Sequence, residues 1–82
     1  MCYITFRSVT FAQRGEAVLE KAGIRCAMQR TPRWMEEQGC GYCIRLPGAQ
    51  VHGGIQLLRG SHVPFRRVYC QNADGELKEL VL

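Results

Sequence analysis

Two cysteines three positions apart, in the segment Gly39-Cys40-Gly41-Tyr42-Cys43, are the side chains best suited to chemistry. Cys40 lies between two glycines, which leave the backbone unencumbered, so its sulfur can protrude and enter the active site of a partner. The segment ends where a predicted strand begins, and functional side chains are common on loops that a rigid scaffold holds in place. We therefore predict that Cys40 is the reactive thiol of this chain.

The C-x-x-C spacing permits three interpretations: half of a zinc site, a redox dithiol, or a thiol carrier whose neighbouring cysteine resolves the intermediate. A zinc site would need a second pair at matching spacing, and the remaining cysteines and histidines are scattered along the chain. A thioredoxin-type dithiol lies at the N-terminus of a helix, whereas Cys43 leads into a predicted strand. We predict Cys43 as a resolving or supporting thiol, and the metal and redox alternatives stay open.

Charged residues on both sides of Cys40 could change how readily its thiol ionises. Arg33 and Arg45 would favour a thiolate, whereas Glu36 and Glu37 would oppose it, so the sign of the net effect stays open. The predicted supporting residues of the site are Gly39, Gly41, Arg33 and Arg45. Nothing in this set implies a metal or a cofactor.

The other three cysteines are predicted to be small packing residues. Five cysteines among 82 residues fall short of the roughly 8–10% that is typical of a disulfide scaffold. Their number is odd, and the first residues lack the basic leader and apolar stretch of a signal peptide. We therefore expect a cytoplasmic protein with reduced thiols, in which Cys2, Cys26 and Cys70 fill space in the core or the sheet.

Length and composition restrict the chain to one small domain. With 82 residues, 46% hydrophobic and 22% charged, it can support one thin two-layer core, and this composition excludes collagen, low-complexity disorder and a coiled coil. No apolar run is long enough for a transmembrane helix, so we expect no membrane partner. The net charge of +4 tolerates an anionic partner without requiring nucleic acid.

The spacing of apolar residues, glycines and prolines predicts four strands and two helices. Ser8 or Thr10 would cap the first helix, which Gly23 would end, and Pro47 and Gly48 would open the second. The predicted strands are residues 2–7, 24–30, 42–46 and 65–71, and Asp74-Gly75 marks a turn.

The order βαββαβ predicts an α+β protein with a ferredoxin-like fold, in which two helices cover one face of a four-stranded antiparallel sheet. This domain would span residues 1–71, and residues 72–82 would form a short C-terminal extension. The residues predicted to face the helices are Ile4, Phe6, Ile44, Leu46 and Val68. The uncovered face of this two-layer sandwich would carry Tyr3, Thr5, Cys43, Arg45, Arg67 and Tyr69.

The uncovered sheet face supports a second class of function, a binding module. RNA-recognition domains stack bases on aromatic side chains of an open four-stranded sheet. Tyr3, Arg45, Arg67 and Tyr69 would offer such side chains here, but the aromatic signature of those domains is absent, and we do not expect nucleic acid as the partner. The same face, with the leucines of the extension, could instead bind a protein or form a homodimer.

At the Cys40 motif, and in short blocks along residues 3–70, the chain resembles the small bacterial proteins described as putative selenium/sulfur carriers. The blocks are residues 3–8, 19–24, 31–33, 39–41 and 44–47. The resemblance implies that the cysteine-glycine pair of that family corresponds to Cys40 and Gly41. Relative to the family, Cys43 is an additional cysteine, and residues 72–82 extend beyond the usual end.

The resemblance also implies a function, in which Cys40 holds sulfur or selenium as a persulfide or selenosulfide. A donor such as a cysteine desulfurase would load the thiol, and an acceptor protein in sulfur or selenium metabolism would receive the atom. Such a thiol needs exposure and partial ionisation but no general base on the carrier. We therefore expect a carrier that is not itself an enzyme and that uses no cofactor.

Overall fold

A computed structural model describes residues 1–32 and 41–81. Within these residues the strands are β1 (Cys2–Thr5), β2 (Ala27–Arg30), β3 (Tyr42–Leu46), β4 (Val68–Gln71) and β5 (Leu77–Glu79), and the α-helices are α1 (Val9–Lys21) and α2 (Val51–Gly60). The five strands form one antiparallel sheet with the spatial order β2-β3-β1-β4-β5. The predicted α+β class is therefore confirmed. Neither of these two helices is long and apolar enough to cross a membrane.

The central strand β1 organises the core through its alternating side chains. Ile4 lies opposite Ile44 of β3 and Val68 of β4, and all three side chains are fully buried. Since alternate residues of a strand point to the same face, they pack together with Leu19 of α1 and Leu58 of α2. The residues predicted to face the helices are confirmed as core: Ile4, Phe6, Ile44, Leu46 and Val68.

Helix α1 begins and ends where the sequence predicts. The Ser8 hydroxyl accepts a hydrogen bond from the Phe11 backbone N–H at 3.1 Å, which satisfies one of the donors that a helix N-terminus leaves unpaired. At the other end, the Ile24 backbone N–H donates to the Leu19 carbonyl at 2.9 Å, and Gly23 has a φ of +82°. This is the Schellman pattern of helix termination. Of the two predicted capping residues, Ser8 is therefore the one used.

Helix α2 follows a short 3-10 helix, Gly48–Gln50, and it packs closely against the rest of the core. A Cβ atom at Gly54 would lie 3.2 Å from Leu46 Cδ1 and 3.3 Å from Leu19 Cδ2, whereas a Cβ atom at Gly53 would meet nothing within 4 Å. Both glycines weaken the helix by intrinsic propensity. Only Gly54 offsets that cost, because it lets the helix backbone approach the sheet.

A fifth strand corrects the prediction of a four-stranded sheet. Strand β5 pairs with β4 and places Glu79 opposite Tyr69. The turn between the two strands is fixed by the Asn72 side-chain oxygen, which accepts backbone N–H bonds from Asp74 and Glu76, each at 3.0 Å. With only three residues, β5 is too short for an alternating pattern to reveal it in the sequence.

The order of the first four strands, β2-β3-β1-β4, is compatible with the predicted ferredoxin-like arrangement. Strand β5 extends this sheet at one edge and falls within the predicted C-terminal extension, residues 72–82. Leu80, just beyond β5, packs against the core. The extension therefore contributes both a strand and an apolar contact, while a domain boundary at residue 71 stays a prediction.

The sheet face opposite the helices is not open at its centre, contrary to the prediction. Thr5, Cys43 and Tyr69 on this face have relative exposures of 5%, 0% and 7%. The Thr5 hydroxyl accepts a hydrogen bond from the Arg67 backbone N–H at 3.0 Å, so its polar atom is satisfied where it is buried. Strand β5 makes β4 an interior strand, which moves Tyr69 away from the sheet edge. The remaining predicted residues are the half-buried Tyr3 and Arg67 and the exposed Arg45.

Candidate functional site

Cys40 lies outside the described residues, as do Gly39 and Arg33, and the structure therefore defines this site by the strands that flank it. The antiparallel pairing of β2 with β3 extends one step further, because the Thr31 backbone N–H donates to the Gly41 carbonyl at 2.9 Å. We call Arg30, Thr31, Gly41 and Tyr42 the stem of the site. Cys40 is thus bonded directly to a residue of the stem that the sheet holds in place.

Gly41 has a backbone conformation that few other residues could adopt. Its φ is +85°, in the left-handed region where a Cβ atom would crowd the following carbonyl oxygen. The chain therefore turns into β3 through a residue that has to be glycine if strain is to be avoided. The sequence predicts Gly41 as a supporting residue, and the structure gives that residue a definite backbone role beside Cys40.

Arg30 places a positive charge on the stem. Its guanidinium carbon lies 5.3 Å from the centroid of the Tyr42 ring, and its Nη1 donates to the Tyr42 hydroxyl at 3.5 Å. Such stacking orients the planar guanidinium group and is favourable by cation–π attraction. Sequence reasoning missed Arg30, because only the register of β2 against β3 brings it opposite Tyr42.

Arg45 is, with Arg33, one of the two cations that the sequence predicts to support Cys40, and it lies farther along β3. It is exposed and pairs laterally with Tyr3 of β1 and Ala27 of β2. It lies three positions beyond Tyr42, which at the rise of a β-strand is about 10 Å. The structure therefore places Arg30, and not Arg45, on the stem.

Cys43 is a fully buried thiol. It lies on the sheet face opposite the helices, with Thr5 of β1 on one side and Gln29 of β2 on the other. A resolving thiol has to reach the bond that it attacks, which a sulfur with no exposed surface can do only after a local rearrangement. The resolving role of Cys43 stays a prediction. A fully buried position of this kind is typical of a packing residue.

Cys2 and Cys70 form a disulfide, which corrects the prediction that both are reduced. They face each other in the pairing of β1 with β4, with their Cα atoms 4.1 Å apart. The neighbouring residue pair, Met1 and Gln71, is hydrogen-bonded: the Gln71 backbone N–H donates to the Met1 carbonyl at 3.0 Å. The two cysteines therefore occupy a non-hydrogen-bonded position, where facing side chains are closest. Their sequence separation of 68 hides this register from sequence reasoning.

Cys26 is a half-buried thiol whose ionisation is disfavoured. Burial raises the pKa of the Cys26 thiol, and the negative charges of Glu20 and Glu16 raise it further. Because the thiolate is the nucleophilic form of cysteine, Cys26 is poorly suited to carry a reactive atom at neutral pH. It matches the prediction of a packing residue at this position.

The metal-binding alternative gains no support from the part of the chain that the structure describes. Residues 1–32 and 41–81 contain no group of three or more His, Cys, Asp or Glu side chains that could hold a metal ion. His52 is an exposed residue of α2, and His62 lies just beyond the end of that helix. Any site that includes Cys40 lies outside the described residues.

The nucleic-acid alternative is weakened by the burial of Tyr69. Stacking of a base needs an exposed aromatic face, and only 7% of Tyr69 is exposed. Arg67, on the same face, has its Nη1 3.8 Å from Glu79 Oε1. The described part of this face therefore lacks the pair of accessible rings on which that alternative depends.

Comparison with known proteins identifies one family that this chain matches. The family model described as "Putative Se/S carrier protein-like" matches residues 1–70. No curated protein and no solved structure is similar enough to this chain to count as a match. The matched region contains the stem, all five cysteines and the first four strands up to Cys70, and it ends before β5. Since the match covers most of the chain, this protein belongs to the Se/S carrier-like family.

Proposed function

We propose that the protein carries sulfur or selenium on Cys40, as a persulfide or a selenosulfide, and delivers it to an acceptor protein. The observation that carries this proposal is the state of the other four cysteines. Two are joined in a disulfide, Cys43 is fully buried, and the pKa of the Cys26 thiol is raised. Within a family named for carriage of these elements, Cys40 is therefore the best-suited thiol.

The stem supports this role in two ways. The left-handed φ of Gly41 defines the backbone at the residue bonded to Cys40, and the guanidinium of Arg30, stacked on Tyr42, adds a positive charge at the same end of β3. A thiolate and a persulfide anion are both stabilised by a nearby cation. Arg30 therefore joins Arg33 and Arg45 as a proposed supporting residue.

Loading is a thiol exchange that needs no external oxidant or reductant. The Cys40 thiolate attacks the outer sulfur of a persulfide on the donor, a new bond forms between the Cys40 sulfur and that atom, and the donor's own sulfur–sulfur bond breaks. The donor cysteine leaves as a thiolate. Delivery repeats these bond changes with an acceptor thiolate as the nucleophile, and selenium follows the same scheme as the outer atom.

The proposed partners follow from this exchange. A cysteine desulfurase is a suitable donor, because it presents the required persulfide on its own cysteine. The acceptor is a protein of sulfur or selenium metabolism with a reactive thiol. In this exchange the protein changes no bond of a small-molecule substrate, and we therefore propose a stoichiometric carrier and not an enzyme.

Mass spectrometry after incubation with a cysteine desulfurase and cysteine tests the proposal. Cleavage after arginine places Cys40 and Cys43 on one peptide, residues 34–45, and leaves Cys26 alone on residues 26–30. We expect a gain of about 32 Da, one sulfur atom in a reversible persulfide, on the first peptide and not on the second. A reducing thiol should remove it.

Two matched variants separate the cysteines of the shared peptide. The added mass should persist in Cys43→Ser and disappear in Cys40→Ser. Loading that survives in Cys40→Ser, or that reaches residues 26–30 equally, would refute the proposal. As an independent measurement, iodoacetamide should alkylate Cys40 faster than Cys26, since burial and two carboxylates disfavour the Cys26 thiolate. Equal rates would instead indicate an ordinary loop cysteine at position 40.

A further inference from the structure

A groove far along the chain from Cys40 has a composition that the carrier function does not explain. It lies between the end of α2, the segment 61–67 that follows it, and the chain from Glu79 to Val81, with a volume of about 810 Å³. We call it the arginine groove. Its polar and aromatic lining consists of Arg59, His62, Phe65, Arg66, Arg67 and Glu79.

Arginines outnumber carboxylates in the arginine groove. Among the described residues that line it, three carry a guanidinium group and one carries a carboxylate. The Glu79 carboxylate forms an ion pair with Arg67, since its Oε1 lies 3.8 Å from Arg67 Nη1, and both side chains are partly exposed. A cleft lined by one sign of charge concentrates ions of the opposite sign. The groove therefore favours an anion.

The same groove offers apolar surface next to its charges. The Arg59 guanidinium carbon lies 5.7 Å from the centroid of the Phe65 ring, and the partly buried Leu80 and the exposed Val81 also line the groove. Stacking on an aromatic ring orients a guanidinium plane while its N–H edges stay able to donate hydrogen bonds. A ligand with both an anionic group and an apolar body would therefore contact both kinds of surface.

His62 occupies a backbone position at which glycine is the usual residue. The His62 N–H donates to the Arg59 carbonyl at 3.1 Å and the Val63 N–H to the Leu58 carbonyl at 2.9 Å, the bonds of a Schellman cap. Yet His62 has a φ of +58°, which is uncommon for a side chain other than glycine. Strained residues of this kind cluster at functional sites. Glycine would satisfy the backbone here but would remove an imidazole from the groove.

We propose that the arginine groove is a binding site for a small organic anion, a phosphate or a carboxylate attached to an apolar body. Its volume is within the range of small-molecule sites, roughly 300–1,000 Å³. Guanidinium groups match the paired oxygens of both anions, and Phe65 with its neighbours covers the apolar body. The proposal uses no property of Cys40, so it stands or falls separately from the carrier function.

Titration of the full chain with three aromatic probes tests the site. Phenyl phosphate and benzoate carry the two candidate anions, and benzyl alcohol is their neutral counterpart. We expect saturable binding of at least one anion and none of benzyl alcohol. Shifts in the amide NMR spectrum should concentrate in residues 59–68 and 79–81. The stronger of the two anionic probes identifies which oxygen anion the groove prefers.

Variants that remove the same charge inside and outside the groove distinguish binding in the groove from a general effect of the protein's net charge. Arg66→Gln should weaken binding by about fivefold or more, in line with the loss of one charge-assisted hydrogen bond. Arg14→Gln, at an exposed position of α1, removes the same charge elsewhere and should change the Kd by less than about twofold. Glu79→Gln should tighten binding, whereas Glu76→Gln, outside the groove, should not.

His62→Gly tests the stability of the protein and its affinity for the anion separately. Because glycine adopts a positive φ without strain, this variant should unfold at a temperature no lower than the original protein, while it binds the anion more weakly. Unchanged binding in His62→Gly would contradict a role for this residue. The proposal fails if neither anion binds saturably below about 10 mM, which is weaker than a specific site would give. It also fails if Arg14→Gln and Arg66→Gln weaken binding equally.

Discussion

At the scale of single residues, Gly41 connects the described sheet to Cys40, its neighbour in the chain. Its carbonyl accepts a hydrogen bond from the Thr31 backbone N–H, one step beyond the paired residues of β2 and β3, and its φ is +85°. One residue thus joins a regular sheet to the cysteine that we propose as the carrier. A residue with a Cβ atom at position 41 would strain the backbone of the stem, while the proposed reactive thiol of Cys40 would remain.

Substitution of Gly41 by alanine should therefore destabilise the protein. A residue other than glycine in the left-handed region costs about 1–2 kcal/mol, and the free energy of unfolding of Gly41→Ala should fall by that amount in urea denaturation. Gly53→Ala is the matched control, since its Cβ would meet nothing within 4 Å and alanine favours a helix by up to about 1 kcal/mol. The two substitutions should move the urea midpoint in opposite directions. A Gly41→Ala variant as stable as Gly53→Ala would show that the turn is not required.

The sequence predicts part of this site and leaves part of it hidden. The glycines around Cys40 are visible as a motif, and they indicate which thiol to consider. The position of Arg30 is not visible, because it depends on which residue of β2 faces Tyr42. The burial of Cys43 is equally hidden, since alternation along β3 cannot show how much of the second sheet face is covered.

At the scale of the elements, the disulfide between Cys2 and Cys70 joins the central strand to its neighbour. It closes a loop with a sequence separation of 68, and loops of that length lose much of their entropy in the unfolded chain when they are cross-linked. Strands β1 and β4 already share a register with Ile4 opposite Val68. The bond therefore stabilises a pairing that the core also favours.

Removal of this disulfide should lower the free energy of unfolding by about 2–4 kcal/mol. The double variant Cys2→Ala/Cys70→Ala should show a lower Tm than the oxidised protein, and so should the original protein in dithiothreitol. Reduction of the original protein separates loss of the cross-link from loss of packing at Cys2, which is buried in the core. Dithiothreitol should leave the Tm of the double variant unchanged. An original protein whose Tm does not respond to reduction would contradict the stabilising role.

The same scale shows why local patterns predict most elements and miss one. The Ser8 cap, the Gly23 stop and the alternation through Ile4 are all local signals, and they locate α1 and β1 correctly. The strands predicted for residues 2–7, 24–30 and 65–71 are shorter than predicted and are confirmed only as Cys2–Thr5, Ala27–Arg30 and Val68–Gln71. Strand β5 and the disulfide arise from pairing between distant segments, which local patterns do not contain.

At the scale of the whole molecule, the burial of Tyr69 limits what the second sheet face can bind. Tyr69 lies on β4, an interior strand of the sheet, opposite Glu79 of β5, and only 7% of it is exposed. We therefore expect the amide resonances of Tyr3, Arg45 and Tyr69 to stay unshifted when single-stranded RNA is added at micromolar protein and about 0.15 M salt. Salt-dependent shifts at these three residues would restore the nucleic-acid interpretation.

The disulfide also determines how the molecule responds to mechanical force. A pull applied to the chain on the outer sides of positions 2 and 70 passes from Cys2 directly to Cys70 through a covalent bond. Both helices and the Cys40 segment lie inside the closed loop and carry none of that load. A machine that unfolds proteins by threading them would extend only the residues outside the loop. It could separate β1 from β4 only after a reductant had opened the bond.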